Sequence, residues 1–249
     1  MKDNSLKVIG IIPARYGSTR FPGKPLALIA GISLLQRTYE NAQRCGCYDT
    51  LVVATDDARI YDHVKDFGGD VVMTSSECPT GTDRILEAAQ SLGDIADDDI
   101  VINVQGDEPL LNADVVPALI DALGDAVMAT PVTPLTDDID DPSVVKCVIR
   151  NDGNALYFSR HPIPYVQKDA TPTYYKHIGI YAFRYHFLKT FATLAPTPLQ
   201  QAEDLEQLKV LEHGYSIAVA VVADDGIGVD TPDDIKKVEN ILCKQNTSS

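Results

Sequence analysis

Tryptophan is absent from the 249 residues, and cysteine is sparse: five, at 45, 47, 78, 147 and 243, none in a C-x-x-C pair. An odd, scattered set argues against a zinc site or a disulfide framework and for a reduced compartment, the cytoplasm. Basic residues are also short, with 21 Lys and Arg against 36 Asp and Glu and a net charge of −15. That balance argues against a nucleic-acid binder, which carries a basic face, and against attachment to an anionic membrane. No run approaches the ~18 apolar residues of a membrane span. The opening Met1-Lys2-Asp3-Asn4-Ser5 leads into a short strand without the apolar stretch of a signal peptide. Both common phosphate-loop signatures are missing. G-x-x-x-x-G-K-[ST] fails because five residues separate Gly17 from Gly23 and Pro25 follows Lys24, and G-x-G-x-x-G does not occur. An ordinary ATPase, kinase or NAD enzyme is thereby disfavoured.

What is present is a loop rich in phosphate-binding groups. The apolar run Val8-Ile9-Gly10-Ile11 opens into residues 12–26, which carry two glycines, two hydroxyls, Arg15, Arg20 and Lys24. In α/β proteins ligands bind at the carboxyl ends of strands. Backbone N–H groups and fixed cations gathered there suit a polyphosphate. An acidic chain needs such a local positive pocket to hold an anion.

The first half alternates strand and helix patterns. A helix is expected over 33–44, a strand over 51–55, a helix over 58–67 closed by Gly68-Gly69, a strand over 71–74, a helix over 84–92 and a buried strand over 100–104. This predicts an α/β fold, a mostly parallel sheet with helices on both faces. After Thr130 the rhythm changes to strands (144–149, 155–159, 177–183) among clustered prolines. Residues 131–198 are therefore read as an antiparallel extension within a single domain spanning 1–249. A leucine-spaced helix over 202–213, a strand over 217–222 and a final helix capped by Thr231 complete the chain.

Position selects two carboxylates among many. Asp107 follows the most apolar strand, and Asp230 ends Gly226-Ile227-Gly228-Val229 just before the Thr231 cap. Two such oxygens with substrate phosphates suit Mg²⁺; a turn-former and a cap aid are the plainer alternatives. His177 and Tyr181 share one face of a strand whose other face carries Ile178 and Ile180. A sugar pocket and a half-exposed sheet face fit that pattern equally. Arg160 ends the strand Leu156-Tyr157-Phe158-Ser159, and Glu206-Gln207 fall by default on the solvent face of their helix.

Taken in series, these stretches resemble the 3-deoxy-manno-octulosonate (Kdo) cytidylyltransferases, or CMP-Kdo synthetases. The resemblance rests on Pro13-Ala14-Arg15-Tyr16-Gly17-Ser18-Thr19-Arg20-Phe21-Pro22-Gly23-Lys24-Pro25-Leu26, Asn103-Val104-Gln105-Gly106-Asp107-Glu108-Pro109, Tyr157-Phe158-Ser159-Arg160, His177-Ile178-Gly179-Ile180-Tyr181, Leu205-Glu206-Gln207-Leu208 and Gly228-Val229-Asp230-Thr231-Pro232. The motifs run nearly end to end in the family's order. The resemblance implies a Rossmann-like nucleotidyltransferase fold of glycosyltransferase-A type and transfer of CMP from CTP to Kdo, for lipopolysaccharide synthesis. It implies CTP contacts at Ala14, Arg15, Gly17, Ser18, Arg20, Lys24, Thr82 and Arg84, with Arg15 and Lys24 on the phosphates. It further implies Mg²⁺ on Asp107 and Asp230, a Kdo pocket of Gln105, Arg160, His177, Tyr181, Glu206 and Gln207, and a homodimer formed through the 131–198 region.

Two departures from the family pattern are mild. Thr80-Gly81-Thr82-Asp83-Arg84 replaces the common Ser-Gly-Thr-Glu-Arg, and Tyr165 stands where many members carry Trp. Among alternatives, a CMP-sialic acid synthetase resembles the first loop but has a Gln-Pro-Thr-Ser-Pro-like second motif. A nucleotide-sugar glycosyltransferase wants an Asp-x-Asp motif at a strand end, and a non-catalytic nucleotide-binding module would have lost a ligand.

Overall fold

The computed structural model describes residues 6–17, 21–223 and 226–246. The chain forms two compact units: residues 1–95, 101–113 and 226–249, and residues 96–100 and 114–225.

The first unit is built on apolar strands that end in polar loops. β1 (Val8–Ala14) is followed by a 3-10 turn (Lys24–Leu26) and a small hairpin of β2 (Leu28–Ile29) and β3 (Ile32–Ser33). Then come α1 (Leu34–Arg44), β4 (Thr50–Thr55), α2 (Ala58–Asp66), β5 (Val71–Met73), α3 (Gly81–Leu92) and β6 (Ile100–Asn103). The strand order is β5-β4-β1-β6, with β1/β4 and β4/β5 parallel. Ile9, Ile11, Ile12 and Val52 to Ala54 are all buried, as expected of parallel strands covered on both faces. Side chains start the helices: Ser33 Oγ accepts the Gln36 N–H, and Asp57 that of Arg59. α3 begins three residues before the expected Arg84, because Thr80 and Asp83 form a reciprocal capping box.

The second unit contains α4 (Val115–Leu123), β7 (Met128–Leu135), β8 (Lys146–Ile149), β9 (Ala155–Ser159), β10 (Tyr174–His177) and β11 (Tyr181–Arg184). α5 (Tyr185–Thr193), α6 (Pro198–Glu203), α7 (Leu208–Glu212) and β12 (Ala218–Val221) follow. The chain then returns to the first unit, where α8 (Pro232–Asn246) closes it. Pairing in the second unit is mostly antiparallel: β7 with β10 and β11, and β10 and β9 with β8; β12 runs parallel to β7.

Two expected elements are interrupted. The strand read over 177–183 splits into β10 and β11: His177 faces Val132 but Ala182 faces Ala129, so the register along β7 slips at residues 178–180. The helix read over 202–213 splits into α6 and α7, because Asp204 takes a left-handed conformation (φ 53) at the end of α6. α6 itself starts with Pro198 in its first turn, and Gln200 Oε1 reaches back to accept the Thr197 N–H at 3.2 Å. Among the described residues no helix is long and apolar enough to cross a membrane.

Candidate active site

In the first unit three residues far apart in sequence meet at one atom. Lys24 Nζ lies 2.7 Å from Asp107 Oδ2 and 3.3 Å from Asp230 Oδ1. Each member is delivered by a local backbone device. Gly23 (φ 72) turns the chain into the 3-10 turn that carries Lys24. Asp107 follows Gly106, whose carbonyl takes a bond from Thr38 Oγ1; a Cβ on Gly106 would lie only 3.0 Å from the Pro13 carbonyl oxygen. Residues 226–230 dock on this turn through Val229 N–H to Asp107 O, 2.8 Å. Asp234 accepts the backbone N–H groups of Asp230 and Thr231 and the Thr231 hydroxyl. Burial pushes the Asp234 carboxyl up, but the bonds from Lys237 and Thr231 outweigh it and hold it well below the usual carboxylate range.

This donor set fits Mg²⁺. Two carboxylates more than a hundred residues apart in sequence already converge on one cation, the Lys24 ammonium, and Asp230 is 74% exposed, open to further ligands. Among the described residues no cluster of three His, Cys, Asp or Glu forms a complete metal cage. Two hard oxygens with the remaining positions left to phosphate and water match how Mg²⁺ is usually held.

The other loop residues lie at different depths. Ala14 is buried, Arg15 is half-buried and donates to the Cys78 carbonyl (2.8 Å), and Gly17 is exposed. Thr82 and Arg84 are buried in α3. The Arg84 guanidinium bonds Thr74 Oγ1 and pairs with Asp56 at 3.3 Å, so it braces the ends of β4 and β5. Gln105 is half-buried after β6. Ser18 and Arg20 lie outside the described residues.

In the second unit the remaining polar residues form a tight network. His177 is buried, its ring edge-on to Phe158 at 4.9 Å and 5.6 Å from that of Tyr181. On a straight strand residues four apart stand about 13 Å apart; the slip at 178–180 brings the two rings together. Thr130 Oγ1 occupies that slip, 2.9 Å from both Ile180 O and His177 Nε2. The single hydroxyl proton goes to the carbonyl, so His177 Nε2 carries the proton and Nδ1 the acceptor lone pair. Burial pulls the His177 pKa down to about 3, so the ring is neutral. Burial pushes the Tyr181 phenol far up, keeping it protonated.

Below pH 6.5 the unfolded chain takes up a proton that the native His177 ring refuses until about pH 3, so stability falls as pH falls through that window. His177→Gln keeps a donor for Thr130 and removes the titration. Between pH 7 and 4.5 wild type is expected to lose roughly 2.5 kcal/mol more than this variant in urea unfolding; equal losses would place a protonatable imidazole there.

Arg160 does not point freely into solvent. Nε donates to Glu203 O (2.7 Å), Nη1 to Pro142 O (3.1 Å) and Nη2 to Asp204 O (3.3 Å). These carbonyls fix the guanidinium plane without neutralising it. The Glu203 carboxylate accepts from Ser159 Oγ and Arg160 N. Fully buried Lys146 spends its three N–H bonds on the carbonyls of Asp141, Val144 and Arg160. The break at Asp204 changes the reading of Glu206-Gln207: Gln207 is 2% exposed rather than on a solvent face, and its Nε2 has no partner among the described residues. Glu206 lies 3.8 Å from Lys209 Nζ. Sequence reasoning missed Thr130, Glu203 and Lys146; only Lys146, a charge inside an apolar strand, left a signal.

A family model described as cytidylyltransferase matches residues 9–217. The chain is 53% identical to the 3-deoxy-manno-octulosonate cytidylyltransferase of Protochlamydia amoebophila, over 97% of this chain and 96% of that protein. It is 52% identical to the one of Chlamydia abortus, over 98% and 96%. A solved structure of a CMP:2-keto-3-deoxy-manno-octonic acid synthetase complexed with CTP superposes with a TM-score of 0.90 at 40% identity, covering 96% of this chain and 99% of that one.

Proposed function

We propose a reaction and a division of labour from the premise that this chain belongs to the cytidylyltransferase family, among its 3-deoxy-manno-octulosonate members. The chain activates Kdo with CTP, giving CMP-Kdo and pyrophosphate. The anomeric hydroxyl oxygen of Kdo forms a bond to the α-phosphorus as the bond from that phosphorus to the β-phosphate oxygen breaks; pyrophosphate carries the electron pair away, and the hydroxyl proton is released to water. The convergence of Lys24, Asp107 and Asp230 is the observation that supports this reading most.

Arg15 and Lys24 hold the triphosphate and offset its charge, with Ala14, Gly17, Ser18, Arg20 and Thr82 lining the nucleotide. Arg84 acts from beneath, through Asp56 and Thr74. Asp107 and Asp230 would hold Mg²⁺. That ion, when bound, supplies charge neutralisation at the reacting phosphate. Arg160, its plane set by three carbonyls, suits the sugar's carboxylate. Neutral His177 accepts a sugar hydroxyl at Nδ1, while Gln105, Tyr181, Glu206 and Gln207 complete the recognition. Catalysis is then mainly positioning and charge neutralisation.

The product serves lipopolysaccharide synthesis in the cytoplasm, where the five cysteines stay reduced. A homodimer forms through residues 131–198, whose Leu156, Tyr165 and Val166 are exposed; sedimentation giving a monomer at micromolar concentration would remove this part. Pyrophosphate release tests the reaction itself, with Kdo, a related eight-carbon acid and sialic acid assayed side by side. Release is expected with Kdo and CTP, abolished by a chelator and restored by Mg²⁺. Activity with sialic acid alone would overturn the substrate assignment.

A further inference from the structure

Beside the loop a stack of four residues ties α2 to Lys24: Asp57 and Arg59, outside every motif discussed so far, and Tyr16 and Gly23 of the first motif. Asp57, which caps α2, grips Arg59 with both carboxylate oxygens, at 2.9 Å to Nε and 2.6 Å to Nη2. A bidentate grip of this kind fixes the guanidinium plane. That plane lies over the Tyr16 ring, 3.3 Å from its centroid, a favourable cation–π geometry. Tyr16 in turn meets Gly23 twice. The Gly23 N–H donates to Tyr16 O at 2.9 Å, and a Cβ on Gly23 would lie 3.3 Å from the Tyr16 hydroxyl oxygen. Glycine at 23 therefore satisfies two demands, its φ of +72 and the close ring. The next residue is Lys24.

We infer that Arg59 is a positioning residue for CTP: stacked on Tyr16 and locked by Asp57, it holds the two ends of the nucleotide loop together and so places Lys24. Arg59 acts through Tyr16 and not through the triphosphate. Its side chain is 58% exposed, so its removal leaves the core intact. The inference rests on the loop being the CTP site and adds the residue that sets its shape.

The experiment measures steady-state kinetics and CTP binding by calorimetry for wild type, Arg59→Ala, Arg59→Lys, Tyr16→Leu and the Arg59→Ala/Tyr16→Leu double variant. Arg59→Ala is expected to raise KM for CTP about tenfold, with kcat, KM for Kdo and the thermal midpoint nearly unchanged; a rise in KM alone reports lost uniform binding. Lysine keeps the charge but lacks the planar fork, so Arg59→Lys is expected to resemble Arg59→Ala. Tyr16→Leu should match it as well, and the double variant should be no worse than either single one, as for two residues acting as a unit. Single effects that multiply in the double variant, or a wild-type KM in Arg59→Lys, would show a direct contact with phosphate and overturn the inference. A KM unchanged in Arg59→Ala would overturn it too. Failure of wild type to bind CTP would instead remove the assignment of the loop.

Discussion

Asp107→Asn is expected to turn over at least about 100-fold more slowly than wild type while retaining part of its affinity for CTP, the range seen when one charge-stabilising group is lost from a transition state. The substitution keeps the shape of the side chain and an oxygen for Lys24 Nζ, now 2.7 Å from Oδ2. What it removes is one negative charge of the pair that would hold the metal. The turn itself is set by backbone groups, by Thr38 on the Gly106 carbonyl and by Val229 N–H on the Asp107 carbonyl, and neither involves the carboxylate. Folding should therefore persist, and the loss should appear in kcat. Continuous measurement of pyrophosphate with saturating CTP and Kdo checks this, with calorimetry for CTP alone. Unchanged turnover would remove Asp107 from the reacting centre.

Gly226→Ala is expected to cost about 3 kcal/mol or more of stability and most of the activity, the size typical of a backbone collision inside a packed region. A Cβ at this position would lie 2.1 Å from the Leu110 carbonyl oxygen and 2.7 Å from its carbon, and φ is +77. The obstacle is main chain, which cannot swing aside as a side chain does. Relief requires the 226–230 segment to lift from 107–111, and Asp230 travels with it. Gly153→Ala separates the two contributions, since Gly153 has φ +83 but nothing within 4 Å of an added Cβ. It should lose only about 1–2 kcal/mol, the cost of a side chain in the left-handed region. Urea midpoints for both variants provide the comparison; equal losses would mean that conformation, not docking, sets the requirement for glycine at 226.

Much of the site is legible in the sequence because its parts sit where chain direction changes. Asp107 and Asp230 stand out by position, one after the most apolar strand and one before a helix cap, and the structure brings both to Lys24. Their meeting is not legible, since it depends on tight backbone docking at Gly106 and Gly226. Alternation along 177–183 marks which residues share a face, but no pattern reports a slip of register. That slip, filled by Thr130, is what closes the His177 and Tyr181 rings to 5.6 Å. Leucines at 205, 208 and 211 suggest one continuous helix, and local spacing is blind to the left-handed Asp204 that divides it. The same break buries Gln207. α4 and α5 escape the strand–helix rhythm because α4 is almost wholly apolar, with Pro117 in its first turn, and α5 begins directly at the end of β11. Arg84 reads as a ligand by its motif, yet its depth in α3 makes it a brace.

Asp107 and Asp230 are proposed to hold one divalent ion together alongside CTP. Mn²⁺, which replaces Mg²⁺ in oxygen sites and is counted directly by electron paramagnetic resonance, tests it on wild type, Asp107→Asn and Asp230→Asn with CTP present. Wild type is expected to bind one Mn²⁺, and each variant to bind it at least about tenfold more weakly, as for the loss of one of few carboxylate ligands. Equal Mn²⁺ affinity in all three proteins would contradict the claim.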